Sequence, residues 1–67
     1  MNSVGIELPK EIARVHKLKE SYEAIGPTGA FGLSFIRPAL ERAEKANAEQ
    51  DAAQMCVCLA ELQEMEK

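Results

Sequence analysis

Cys56 and Cys58, His16, and the carboxylate pairs Glu41/Glu44 and Glu61/Glu64 are the residues of this chain whose types could do chemistry. Thiolates and imidazole hold zinc, and paired carboxylates can divide acid and base work. Their spacing argues against each use. Two residues apart on a helix, Cys56 and Cys58 point about 200° away from each other and cannot grip one ion. His16 alone cannot complete a tetrahedral set. A disulfide between such close cysteines closes almost no loop, so both thiols are expected free, in a reducing, intracellular setting. The glutamate pairs have helical spacing and no histidine near them in sequence, which reads as solvated helix faces. The glycine-rich stretch Gly26–Gly32 lacks a following Gly-Lys-Ser/Thr and is no phosphate loop. No catalytic, cofactor-binding or metal-ligating residue is assigned, and the chain is expected not to be an enzyme.

The elements that would position any site come next. A chain of 67 residues makes one small domain. Domains of this size bury only about 60% of their unfolded surface, so a second subunit would help the core. The net charge of −3 disfavours a protein whose main task is to neutralise phosphates. The charge is also uneven, with Lys10, Arg14, Lys17 and Lys19 early and Glu49, Asp51, Glu61, Glu64 and Glu66 late. Such polarity fits antiparallel self-association or steering toward a partner. The longest uncharged run, Ala24 to Ile36, is too short and too broken by Gly and Pro to span a bilayer. No signal-peptide pattern opens the chain.

Residues 1–8 alternate Val4, Ile6 and Leu8 with small or polar residues, a period of two that predicts a short extended arm. Residues 9–67 then form a single helical domain with helices over about 9–25, 29–47 and 51–66. Pro9 suits the first position of the first helix, and Ile12, Val15, Leu18, Tyr22 and Ile25 form its apolar stripe. Lys19 and Glu23 are spaced to pair along it. Gly26-Pro27 stops it, since glycine accepts the left-handed turn and proline cannot continue the ladder. Thr28 is the expected cap of the second helix. Phe31, Phe35, Ile36, Ala39, Leu40, Ala43 and Ala46 are its expected buried face. Gly29 and Gly32 would let a neighbouring backbone come close. Pro38 inside that helix removes a backbone bond to Ser34, and a single kinked helix is expected. Asp51 and Gln54 have the spacing of a capping box for the third helix, whose stripe is Met55, Leu59, Leu62 and Met65. Cys56, Val57 and Cys58 carry apolar surface around its other side.

The fold class is therefore all-α: a helical hairpin or three-helix bundle, dimeric, with a short extended N-terminal arm. Phe31, Leu33, Phe35 and Ile36, together with Met55 and Leu59, are the expected partner-binding residues. They supply more apolar surface than a monomer of this size hides easily, and exposed apolar patches mark interfaces. Helix 1, the glycine turn and helix 2 could imitate a helix-turn-helix. The would-be recognition helix begins Gly-Ala-Phe-Gly-Leu-Ser-Phe-Ile, however, and offers almost nothing to base edges.

Residues 8–32, Leu-Pro-Lys-Glu-Ile-Ala-Arg-Val-His-Lys-Leu-Lys-Glu-Ser-Tyr-Glu-Ala-Ile-Gly-Pro-Thr-Gly-Ala-Phe-Gly, resemble a segment of small uncharacterised proteins encoded by temperate bacteriophages and prophages. The similarity continues through Glu41-Arg42-Ala43-Glu44-Lys45-Ala46, and Pro38 departs from the pattern. The resemblance brings no catalytic motif. It implies a viral protein in the cytoplasm of a bacterial host that binds and inhibits one host protein, such as a transcription regulator, a defence complex or a pilus component. The chain is expected to pair with itself and with that host protein, with no membrane and no nucleic acid as partner. Two other readings are a small DNA-binding or transcription-regulatory protein using the basic face of helix 1, and a structural or assembly subunit of a virion.

Overall fold

Val4, Leu8, Ile12 and Val15 recur every three or four residues, and this period decides the N-terminal segment. In the computed structural model, which describes residues 3–65, Val4–Ala24 is one helix, α1. The extended arm expected over residues 1–8 is corrected accordingly: Val4 through Leu8 are helical, while residues 1 and 2 lie outside the described range. Three alternating apolar residues fit either period. The helix buries Val4 and Leu8 and leaves Ile6 63% exposed, so burial favours the longer period. Pro9 thus lies inside α1 and not at its first position. Its missing N–H leaves the Gly5 carbonyl without its usual donor, and both residues are exposed, where water can supply one.

Gly26, at φ +71°, takes the left-handed turn expected after the first helix. A 3-10 turn over Gly26–Gly29 follows, then α2 over Ala30–Glu49. Thr28 is part of that turn and does not cap α2. The cap position is Gly29, which has no side chain to bond. Pro38 stays within an unbroken α2 for the same reason as Pro9 in α1: it and Ser34 both face solvent. The Ser34 hydroxyl donates to the Phe31 carbonyl at 2.5 Å on that same exposed side.

Gln50, at φ 54° and ψ 38°, ends α2 in the left-handed conformation. The Gln50 N–H donates to the Asn47 carbonyl at 3.3 Å and the Asp51 N–H to the Ala46 carbonyl at 3.1 Å, the two bonds of a Schellman ending. Asp51 then caps α3, Ala52–Gln63, by accepting from the Gln54 N–H at 3.3 Å. Because the Asp51 N–H is spent on Ala46, the reciprocal half of the expected capping box is replaced by the Schellman bond. The third helix stops three residues short of its expected end, with Glu64 and Met65 in a turn.

The three helices pack pairwise, up, down and up, around one core. Val4, Leu8 and Val15 of α1 meet Ile36, Ala39, Leu40, Ala43 and Ala46 of α2 and Met55, Cys58 and Leu62 of α3. Alanine fills three of the five α2 positions, which lets its neighbours approach closely. The shape is elongated, 40 × 18 × 15 Å.

Candidate functional site

Polar bonds between helices fix which edge of each helix faces which neighbour. Arg37 of α2 donates to Glu23 of α1 at 3.1 Å, and His16 of α1 lies 2.5 Å from Glu44 of α2. Arg42 of α2 meets Glu61 of α3 at 2.6 Å. Arg14, bonded to Glu11 at 2.9 Å, also donates to the Leu62 carbonyl at 2.7 Å. That last contact places a cation at the negative end of α3. Glu44 is therefore no freely solvated carboxylate, as its distance from any histidine in sequence suggested. Glu23 takes Arg37 as its partner in place of the expected Lys19.

Helical geometry then places the two phenylalanines. Phe31 and Phe35 lie within about 20° of the line through Arg42 along α2, the edge that faces α3. The Arg42–Glu61 pair sets the register, so α3 ends about level with Leu40, and α2 runs about 15 Å beyond it. On α1 the edge facing α3 runs through Arg14, Leu18 and Ser21 to Ile25, the cap residue. Among the described residues, no third helix lies over these two edges past the end of α3. Phe31 is 77% exposed, Phe35 58% and Ile25 56%. The Phe rings touch edge to face, with centroids 5.0 Å apart and planes at 79°.

Phe31 and Phe35 therefore do not belong to the buried face of α2 as expected: they share the edge of Arg42, which is itself more than half exposed beside α3, and lie about 140° and 100° around the helix from Ile36. Leu33 and Ile36 lie inward, 7% and 4% exposed, and Met55 is 3% exposed. These three are core residues within this fold. Leu59 is half-buried, packed against the core. Of the six expected partner-binding residues, the structure brings Phe31 and Phe35 together at one open face. Ile25 and Ser21 complete that face and were missed. Its spacing makes Ile25 the last residue of the apolar stripe of α1, and nothing in local sequence says that α3 stops before reaching it.

The floor of this end explains the glycines. A Cβ on Gly29 would fall on the Tyr22 carbonyl oxygen and lie 2.9 Å from its carbon, and one on Gly32 would overlap the Tyr22 ring. The close approach they were expected to permit is made by α1 of the same chain.

Two shallow depressions lie elsewhere. One, about 270 Å³, is lined by His16, Lys19, Arg37, Leu40, Glu41 and Glu44. The other, about 300 Å³, is lined by Arg42, Lys45, Ala46, Glu49, Asp51 and Gln54. In each, two Lys/Arg cations face two carboxylates, so neither selects a ligand by its sign of charge. Among the described residues no group of three or more His, Cys, Asp or Glu side chains is placed to hold a metal ion. Cys56 is exposed and Cys58 buried, and the helix holds them apart as expected. Burial pushes the Cys58 thiol above its ordinary range; Glu61 adds to this and Arg42 partly offsets it. No described helix is long and apolar enough to cross a membrane.

Fold and site together define a small all-α bundle with one uncovered, uncharged apolar end. Comparison with protein-family models, with curated proteins and with solved structures finds no match to this chain.

Proposed function

We propose that this chain is a protein-interaction module whose contact surface is the uncovered end of the α1–α2 hairpin. One observation carries the reading: two neighbouring phenylalanines stand more than half exposed on a helix whose other large apolar residues, Leu33, Ile36 and Leu40, are buried. Exposing two such rings costs a small domain solubility, and exposed aromatic clusters are the usual anchors of protein interfaces. The phage resemblance supplies a candidate class of partner, a bacterial host protein held in an inhibited state. A nucleic-acid role through the basic face of α1 is disfavoured by the net charge of −3, and of that face's cations Arg14 is engaged by Glu11.

The test compares the native chain with Phe31→Ser/Phe35→Ser as bait in bacterial lysate. A host protein retained by the first and lost from the second, at equal melting temperature, supports the reading. Equal retention by both baits rejects it.

A further inference from the structure

Resting on the reading of this end as a contact surface, we propose that its occupant is a second copy of the chain. The face formed by Ser21 and Ile25 on one edge and Phe31 and Phe35 on the other docks on its own duplicate about a two-fold axis.

Charge is the main reason. A two-fold axis sets every group near it against an identical group, so a self-complementary contact tolerates no unpaired charge at its centre. In a chain that is 28% charged, no charged residue falls between Ala24 and Ile36, and neither edge carries one beyond the end of α3. The residues that close the face below, Arg14 and Arg42, are already matched by Glu11 and Glu61 within the chain. The patch itself thus offers no fixed charge to a strongly acidic or basic partner, and none to repel a copy.

Shape points the same way. An open pair of antiparallel helix edges is completed by another such pair, which closes a four-helix bundle. The two copies must run in opposite directions, because in a same-direction pairing their α3 helices would claim the same space. Oppositely directed, the ends overlap by about 15 Å, and each Gly26–Gly29 turn reaches the α3 end of the other copy. Gly26, Pro27, Thr28 and Gly29 are small or uncharged and leave room there. The phenylalanines of the two copies then meet across the axis.

The exposed parts of Phe31, Phe35 and Ile25 and their surroundings amount to roughly 400 Å² per copy, about half of a standard interface. The dimer is accordingly weak, of the transient class that small interfaces make. A foreign partner using this end would compete with the second copy.

The deciding experiment is sedimentation equilibrium of the full chain from about 5 µM to 2 mM, a range that brackets a weak association. The native chain should pass from one-chain to two-chain mass. Phe35→Glu alone and Phe35→Lys alone should stay at one-chain mass throughout, since each sets like charges across the axis. An equimolar mixture of the two should recover the two-chain mass. A native chain that remains single at the highest concentration overturns the inference, as does a dimer that survives in either charged variant or a mixture that fails to associate. Melting temperatures at 5 µM, the dilute end of that range, should match the native value; a large fall there would show that Phe35 is held by the fold, and would overturn the contact-surface reading instead.

Discussion

At the residue scale, neighbours in sequence have opposite fates. Ile36 is in the core and Phe35 is not. Ile36→Ala should destabilise the fold by about 2–5 kcal/mol, whereas Phe35→Ala should change it by less than about 1 kcal/mol in dilute solution. Urea unfolding of the two variants side by side would check this; similar losses would return Phe35 to the core. Gly29 and Gly32 differ in what they press against. Gly29→Ala must displace the Tyr22 backbone and should cost about 2–3 kcal/mol, while Gly32→Ala meets a ring that can rotate and regains helix propensity, for a loss nearer 1 kcal/mol. Thermal melts of both would rank them.

The cysteines separate likewise. Cys56 should react with a thiol reagent at once, and Cys58 only as the fold opens, which timed alkylation reads directly. The Cys58 thiol is raised above its ordinary value of 9.0 in the fold, mainly by burial. Its contribution to stability is therefore full below about pH 9 and lost as pH rises through the raised value. The melting temperature of the native chain should fall more steeply above pH 9 than that of Cys58→Ala. Parallel slopes would show that the thiol does not contribute.

At the scale of elements, the ends of the helices are unevenly finished. Gln50 occupies a left-handed position that glycine fills without penalty. Its side chain recovers part of that cost by donating to the Asn47 carbonyl at 2.6 Å. Gln50→Gly is expected to raise stability by about 0.5 kcal/mol, because the backbone gain exceeds the loss of an exposed hydrogen bond. Asp51→Ala removes the α3 cap and should cost about 1 kcal/mol. Chemical denaturation of the two single variants gives both numbers. The interior prolines cost less than prolines buried in a helix, since the carbonyls they orphan face water.

Over the whole molecule, the described residues include three Arg–Glu ion pairs and the His16–Glu44 contact, one of the four within α1 and the others between helices, and each is partly exposed. Such pairs are worth about 0–1 kcal/mol and orient more than they stabilise. The charge asymmetry that suggested self-association is in part consumed here, by Arg14 reaching the end of α3 and Arg42 meeting Glu61. What remains open to another chain is apolar. Association through the hairpin end should therefore persist, or strengthen, in 1 M salt, where a phosphate-bound or ion-paired complex would weaken steeply. Sedimentation at low and high salt distinguishes these.

The sequence by itself determined the helices, because period, caps and breakers act within a few residues: the stop at Gly26, the cap at Asp51, and the core stripe Ile36, Ala39, Leu40, Ala43 and Ala46 were all legible. It misassigned residues 4–8, where three alternating apolar side chains satisfy two periods and only packing against the other helices separates them. Phe31 and Phe35 are marked by the sequence both as residues for a partner and as part of the buried face of α2. The structure corrects the burial: they lie about 140° and 100° around α2 from Ile36, on the exposed edge of Arg42. How far α3 reaches along α2, by contrast, is a relation between segments remote in the chain, and the tertiary structure alone decides it through the Arg42–Glu61 register and the α3 end at Gln63.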